Sequence, residues 1–185
     1  MALRTIPPFR ADHVGSLLRP KTINDAFKNY KAGSITREEV IAIEDAAIKE
    51  VIKLQQDVGL QVVTDGEFRR ASYWSTFVER VDGLDISDSC FTFHDEDGHD
   101  HKFTAPIVTK KVSRPVSIAG DEFHFLKNNT QQTPKITIVS PPTMHMFRLE
   151  KTIKSGVYDS TKDYFIDLAQ VYREEICALA DAGCT

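Results

Sequence analysis

The sequence is poor in the residues that mark several classes of protein. It has 3 cysteines in 185 residues, Cys90, Cys177 and Cys184, and no Cys-x-x-Cys or His-x-Cys pair. An odd number of widely spaced cysteines is typical of free thiols rather than of a disulfide framework or a zinc site. No apolar run approaches the roughly 18 residues that a membrane span needs. The N-terminus, MALRTIPPFRADHVGS, has no apolar core of a signal peptide, so a cytoplasmic protein is expected.

Charge and composition exclude further classes. The formal net charge is -4 at pH 7, which gives no reason to expect a nucleic acid or an anionic membrane as partner. Hydrophobic residues make up 41% and charged residues 27%, the balance of a globular protein with a real core.

Two long helices are predicted from capping signals and periodicity. Thr36 and Glu39 have the spacing of a capping box, and Gly59 suits the left-handed residue after a helix. The second helix begins at Ser160 or Thr161 and closes at Gly183. The apolar residues that recur at steps of three and four are Val40, Ile43, Ala47, Val51, Leu54 and Val58 in the first helix and Phe165, Leu168, Tyr172, Ile176 and Leu179 in the second.

Strands are predicted between these helices. Residues 60–64, 114–120 and 135–142 are short apolar runs that end in turn residues or polar loops. Residues 82–112 alternate apolar and polar side chains around Gly98, which favours a β-hairpin inserted in a loop. Strands that alternate with helices indicate an α/β fold, either an open sheet or a (β/α)8 barrel. A barrel needs on the order of 250 residues, so this chain could supply about half of one. No Gly-x-Gly-x-x-Gly of a Rossmann sheet is present.

The clearest candidate site follows the first predicted strand, in the stretch LQVVTDGEFRR. Ligands of α/β proteins lie at the carboxyl ends of strands, where Asp65 and Glu67 would project. A carboxylate there could bind a substrate ammonium group, with Arg69 and Arg70 tuning its charge or binding an anion. The alternative is a structural ion pair that begins the next helix.

Three further polar clusters are candidates. Gly15 and Ser16, in HVGSLLRP, would let a ligand approach the backbone. The stretch SPPTMHMFR offers apolar surface for a flat aromatic ligand, or core packing. His94, His99 and His101 lie among acids in HDEDGHDH and could bind a metal, although an exposed hairpin tip is favoured.

Taken together, HVGSLLRP, VVTDGEFRR and SPPTMHMF resemble the catalytic barrel of the cobalamin-independent methionine synthase family, most closely its short members. The resemblance implies the first half of an incomplete (β/α)8 TIM barrel, with residues 1–185 as the N-terminal portion of one barrel domain. It implies zinc-dependent methyl transfer from 5-methyltetrahydrofolate to the homocysteine thiol, the activity of a 5-methyltetrahydropteroyltriglutamate-homocysteine S-methyltransferase.

The resemblance also implies roles for individual residues. Val14, Gly15 and Ser16 match the segment that holds the homocysteine carboxylate, and Glu67 matches the ligand of its ammonium group. Asp65, Arg69 and Arg70 are expected to support Glu67. Phe147 occupies the position where the family usually has a tryptophan that stacks on the pterin ring, and this difference leaves the identity of the methyl donor undecided. Lys111 lies near a basic segment that contacts folate in the family.

The family's zinc ligands are expected beyond residue 185, so the isolated chain is expected to be inactive and truncated before a strand. Two alternatives stay open: a corrinoid- or coenzyme-thiol-dependent methyltransferase, and a non-catalytic fragment that binds a small amino acid. A homo-oligomer through the edges of a half-barrel is also expected.

Overall fold

The structure, a computed structural model, describes residues 12–185 except for the side chains of Ser89, Phe93 and Lys102. The N-terminal stretch in which no signal peptide is expected lies largely outside these residues. The chain divides into two compact units. The first contains residues 1–73, 121–137 and 184, and the second contains residues 74–120, 138–183 and 185.

The first unit contains three helices and a short parallel ladder. Its elements are α1 (Lys21–Lys31), α2 (Arg37–Asp57), β1 (Val62–Val63), β4 (Thr133–Pro134) and, from Asp121, the helix α4 (Gly120–Asn128). In the ladder Val62 pairs with Thr133 and Val63 with Pro134. Its buried apolar core consists of Ile23, Ala47, Ile48, Val51, Ile52, Val63, Phe68 and Leu126.

The predicted caps of α2 are confirmed. The Thr36 side chain accepts a hydrogen bond from the Glu39 amide, and the Glu39 carboxylate accepts one from the Thr36 amide at 2.7 Å. Gly59 follows the helix with φ of 86°, a left-handed conformation that costs glycine little. The end of α2 is thus fixed, and with it the start of β1.

The second unit contains a long antiparallel hairpin and the C-terminal helix. Its elements are α3 (Ser75–Arg80), β2 (Asp82–His94), β3 (Asp100–Ser113), α5 (Thr143–Met146), a 3-10 turn (Leu149–Lys151) and α6 (Thr161–Asp181). The predicted hairpin is confirmed, with Asp82 opposite Ser113 and Gly98 in its turn at φ of 82°. The Ser160 side chain caps α6 by accepting from the Asp163 amide at 3.1 Å.

Two strand predictions are wrong. Residues 114–119 form bends that lead into α4, because the Ser117 hydroxyl caps the Gly120 amide at 3.0 Å and Glu175 takes the neighbouring amides. Residues 135–140 carry no regular strand; the ladder lies two residues earlier, at Thr133–Pro134, and only the Lys135 amide continues it, donating to the Val63 carbonyl. The predicted strand 60–64 is confirmed only at Val62–Val63.

The structure is a mixed α/β fold. Within residues 12–185 the ladders are one parallel pair and one antiparallel pair. The single barrel domain and the association through strand edges stay predictions. Among the described helices none combines the length and apolarity of a membrane span.

A buried carboxylate organises the second unit. The Glu175 side chain on α6 is fully buried, and it accepts hydrogen bonds from the amides of Ile118 and Ala119 at 2.9 and 2.7 Å. The Arg114 guanidinium donates to it at 2.6 Å. Burial acts to raise the pKa of Glu175, but these donors outweigh it and the pKa is lowered. The charged form is therefore the one that the fold stabilises.

We expect Glu175→Gln to lower the free energy of unfolding by about 3 kcal/mol at pH 7, since it leaves the Arg114 guanidinium without its anion. The folded pKa lies below the unfolded value of 4.5, so this stabilisation is present above pH 4.5 and is lost as pH falls through the folded pKa. Urea titrations at pH 7 and at pH 3 measure both effects.

The matched control is Glu174→Gln, which makes the same chemical change one residue earlier, on the exposed face of α6. We expect a loss within about 0.5 kcal/mol for it. The role given to Glu175 would be contradicted if both variants lost the same free energy of unfolding at pH 7. It would also be contradicted if the difference between them were as large at pH 3 as at pH 7.

Candidate functional site

The loop after β1, residues 64–70, is held by a glutamine from α2. The Gln55 side chain is buried; its amide nitrogen donates to the Thr64 carbonyl at 2.8 Å and its oxygen accepts from the Thr64 amide at 2.9 Å. The Thr64 hydroxyl in turn accepts from the Gly66 amide at 3.1 Å. The backbone at the end of the strand is therefore satisfied by helix and loop side chains, which fixes the start of the loop.

The loop then turns through two left-handed residues. Gly66 has φ of 68° and Glu67 has φ of 57°, a conformation that is uncommon for a residue with a side chain. The Asp65 carboxylate stabilises this turn, because its Oδ1 accepts from the Glu67 amide at 2.9 Å. Strained residues of this kind concentrate at functional sites, so Glu67 is the first candidate for a ligand-binding group.

The residues that follow the predicted Gly-Ser segment are hydrogen-bonded to this loop. The Leu17 amide donates to the Gly66 carbonyl at 3.1 Å, and Arg19 Nη2 donates to the carbonyls of Glu67 and Arg70 at 2.9 and 2.5 Å. The structure thus brings together the first two polar clusters predicted from the sequence.

The backbone before Leu17 is open. Gly15 has φ of 92°, and a Cβ placed on it would meet nothing within 4 Å. Val14 is 73% exposed and Ser16 is exposed as well. The amide and hydroxyl groups of this segment are therefore accessible to a ligand.

The Glu67 carboxylate is buried and anchored. The Thr137 hydroxyl donates to Glu67 Oε1 at 2.7 Å, and Arg70 Nη1 lies 3.6 Å from the same oxygen. The Arg70 guanidinium is itself held by Glu122 at 2.6 Å and by the Thr137 carbonyl at 2.9 Å. Burial acts to lower the pKa of Arg70, but Glu122, with the charges of Asp65 and Glu67, outweighs burial and raises it.

Arg69 has a different environment from Arg70. It pairs with Asp45 at 2.5 Å and Glu44 at 3.3 Å on α2, and its guanidinium carbon lies 4.7 Å from the centre of the Phe125 ring. Burial raises the pKa of Glu44, against the charges of Arg37 and Arg69. Arg69 therefore ties the loop to α2, while Arg70 supports the Glu67 carboxylate directly.

The residues predicted to contact a methyl donor lie in the second unit. The half-buried Phe147 ring packs edge-on against Phe103, with 5.3 Å between centres. Lys111 is exposed, and its Nζ lies 5.8 Å from the centre of the Tyr158 ring, at the wall of an open cavity of about 440 Å³. Burial, with Asp167 as hydrogen-bond partner, raises the pKa of Tyr158 to about 12. The donor role of Phe147 and Lys111 stays a prediction.

Comparison with known proteins decides the family. Residues 9–185 match the family described as cobalamin-independent synthase, catalytic domain. The chain belongs to this family. A methionine synthase of Sulfolobus acidocaldarius is 30% identical over 92% of this chain and 48% of its own length. YxjH of Bacillus subtilis (strain 168), named only as uncharacterized, is 40% identical over 96% of the chain and 46% of its own length.

Solved structures agree with the family. A crystal structure of a provisionally named vitamin-B12 independent methionine synthase from Listeria monocytogenes superposes with a TM-score of 0.77 at 34% identity, over 97% of this chain and 50% of that one. A B12-independent methionine synthase from Shewanella sp. W3-18-1, in complex with selenomethionine, gives a TM-score of 0.62 at 29% identity, over 81% and 42%. The chain thus spans about half the length of the relatives that it matches.

Zinc, which membership of the synthase family implies, does not fit the donors that this chain offers. Among the described residues the group that could hold a metal is Asp95, Asp97 and His99, all exposed in the hairpin turn. Cys90 and Cys177 are exposed free thiols. The third cysteine, Cys184, is half-buried, and burial raises the pKa of its thiol, which disfavours the thiolate that zinc binds. No step of a reaction is therefore assigned to a metal held by these residues.

The histidines of the hairpin turn are engaged with carboxylates. His94 pairs with Asp100 at 2.7 Å, and His101 and His99 contact Asp95 Oδ2 at 2.9 and 3.2 Å. Hydrogen bonds from His101 and His99 lower the pKa of Asp95. All three histidines are exposed, as favoured for a solvated tip. The preference for a solvated tip over a metal site stays a prediction.

Sequence reasoning missed three residues of the site: Arg19, Glu122 and Thr137. Arg19 stands in the quoted HVGSLLRP, and its neighbour Pro20 marks the turn into α1. Glu122 and Thr137 contact the loop over 52 and 70 residues of sequence, a separation at which no local pattern signals a partner.

We expect Gly66→Ala to lower the free energy of unfolding by about 2–5 kcal/mol. The left-handed backbone costs a residue with a side chain about 1–2 kcal/mol. In addition, the new Cβ would lie 3.0 Å from the Phe68 ring and 3.4 Å from Leu17 Cβ, and such overpacking costs about 1–3 kcal/mol. Urea denaturation measures the loss.

Gly59→Ala is the matched control, because Gly59 also has positive φ but a Cβ added to it would meet nothing within 4 Å. It should lose only the cost of the backbone conformation. If the two variants lose the same free energy, the loop around Gly66 is not tightly packed and the expected difference is wrong.

Proposed function

We propose that this chain supplies the amino-acid-binding part of a methyltransferase that moves a methyl group to the thiol of homocysteine and yields methionine. Membership of the cobalamin-independent synthase family supports it, as does the match to a Trichodesmium erythraeum protein named 5-methyltetrahydropteroyltriglutamate--homocysteine methyltransferase, which is 28% identical over 96% of this chain and 23% of its own length. The first half of a (β/α)8 barrel is the proposed architecture.

One observation carries the proposal: Leu17 and Arg19, which directly follow the open Gly15–Ser16 segment, donate hydrogen bonds to the loop of Glu67. An α-amino acid needs donors for its carboxylate and an acceptor for its ammonium group. The exposed Ser16 hydroxyl and nearby amides suit the carboxylate, and the buried Glu67 carboxylate suits the ammonium. The selenomethionine bound by the Shewanella protein is an amino acid of this kind.

Zinc is proposed as a cofactor of a full-length protein that contains this chain, and not as a ligand of the residues described here. Bound there, it would lower the pKa of the substrate thiol. The residues described here position the substrate. Alignment of sulfur, methyl carbon and leaving nitrogen dominates such a transfer, so positioning is itself a catalytic contribution. Phe147 and Lys111 are the proposed donor contacts in the second unit.

The methyl donor is tested with a full-length protein that contains this chain. We expect it to form methionine from homocysteine with 5-methyltetrahydrofolate and not with methylcobalamin, because the family to which the chain belongs is cobalamin-independent. Activity with methylcobalamin alone would favour the corrinoid alternative. Binding of the amino acid without turnover on either donor would favour a non-catalytic role.

Glu67→Gln tests the substrate site. We expect the 185-residue chain to bind L-homocysteine in isothermal titration calorimetry and the variant to bind it about 10- to 100-fold more weakly. The loss corresponds to about 1.5–3 kcal/mol for a charge-assisted hydrogen bond.

Glu50→Gln, on the exposed face of α2 in the same unit, is the matched control and should leave the affinity unchanged. Thermal unfolding of both variants checks that the fold is intact. Unchanged affinity in Glu67→Gln would overturn the role of Glu67, and a wild-type chain that does not bind L-homocysteine would overturn the proposed site.

A further inference from the structure

Asp65 has a buried carboxylate, and among residues 12–185 only one of its two oxygens has a hydrogen-bond donor. The residue is 3% exposed, and its Oδ1 accepts from the Glu67 amide at 2.9 Å. Its Oδ2 is buried and has no hydrogen-bond donor among residues 12–185. The chain therefore holds an acceptor of negative charge, in the loop of the candidate site, that the described protein leaves unsatisfied.

Such an atom needs a physical explanation. Removing a carboxylate oxygen from water without a compensating donor costs free energy, and native proteins leave few buried polar atoms unpaired. Each exception calls for an explanation, such as a functional role or a bound water or ion. Since Asp65 lies two residues before the strained Glu67, a ligand is the explanation that its position favours.

The neighbouring guanidinium of Arg70 donates its hydrogen bonds to other residues. Arg70 lies close enough to Asp65 for the carboxylate to raise its pKa, yet its hydrogen bonds go to Glu122 and to Thr137. Glu67 Oε1 is likewise held by the Thr137 hydroxyl. Asp65 Oδ2 therefore has no hydrogen-bond donor among residues 12–185, and an incoming N–H group would supply one.

We infer that Asp65 Oδ2 accepts a hydrogen bond from the ammonium group of the amino-acid substrate, so that Asp65 and Glu67 bind this group together. The inference rests on the proposed function, and it assigns to Asp65 a direct contact with the ligand in place of a supporting role. An ammonium group supplies the N–H donor that Asp65 Oδ2 lacks among residues 12–185, and a carboxylate accepts such a charged donor strongly. Asp65 then determines specificity for α-amino acids over the corresponding acids without an amino group.

The test compares two ligands that differ only in this group, L-homocysteine and 4-sulfanylbutanoate. Calorimetric titrations are made on the wild-type 185-residue chain, on Asp65→Asn and on Asp57→Asn, a matched control whose carboxylate is exposed at the end of α2. We expect Asp65→Asn to weaken L-homocysteine binding about 10- to 100-fold and to change 4-sulfanylbutanoate binding less than about threefold. Asp57→Asn should leave both affinities at the wild-type values.

The outcomes separate this inference from the proposed function. If the wild-type chain prefers L-homocysteine and Asp65→Asn keeps the full preference, the inference is wrong, Oδ2 is satisfied by water, and the proposed function stands. If the wild-type chain binds neither ligand, or binds both equally, the proposed amino-acid site is itself overturned and the role of Asp65 with it.

A second measurement covers the case in which Asp65→Asn does not fold. The carboxyl carbon of Asp65 is followed by 13C NMR in the wild-type chain while each ligand is added. A contact with the ammonium group predicts a shift of this signal with L-homocysteine and none with 4-sulfanylbutanoate. The same shift with both ligands, or none with either at saturation, would overturn the inference.

Discussion

The buried guanidinium of Arg70 is the group on which the first unit depends. A cation removed from water is tolerable only when carboxylates and carbonyls replace its hydration, and here Glu122 and both the hydroxyl and the carbonyl of Thr137 do so. These partners stand 52 and 67 residues away along the chain. One side chain thus joins the loop after β1 to the start of α4 and to the segment after β4, and the Glu67 carboxylate takes its place within that arrangement.

The same type of interaction recurs in both units. Two helices, α2 and α6, each bury a glutamate fully, Glu44 and Glu175, and each glutamate is bound by arginine. This explains where apolar periodicity misled. Leu54, Val58 and Ile176 belong to the predicted stripes but are 57%, 67% and 57% exposed, because the buried faces are rotated toward the glutamates. A buried charge whose partner is distant in sequence has no periodic signature, so pattern alone does not place it.

The features of this chain that the sequence predicted are those decided by neighbouring residues, and the features that it did not predict depend on partners far away in the sequence. The capping box at Thr36, the cap at Ser160 and the hairpin turn at Gly98 were predictable, because each is decided within a few residues. Residues 114–119 were mistaken for a strand because Glu175, more than 50 residues later, takes the amides of Ile118 and Ala119. In the site, Asp65 and Glu67 were found from their place after a strand, whereas Thr137 and Glu122 could be found only from the fold.

The environment of Glu67 explains why two carboxylates would be needed for one ammonium group. The Arg70 guanidinium, 3.6 Å from Glu67 Oε1, partly cancels the attraction of this carboxylate for a second cation. The backbone conformation of Glu67, with φ of 57°, and the hydrogen bond from Thr137 fix the position of its carboxylate. Little conformational entropy of this side chain is therefore lost when a ligand binds. Its charge, however, already interacts with Arg70. The charge of Asp65 also acts on Arg70, but its Oδ2 has no hydrogen-bond donor among residues 12–185. In the proposed site the rigid Glu67 carboxylate sets the geometry, and Asp65 Oδ2 offers the ammonium group a second acceptor.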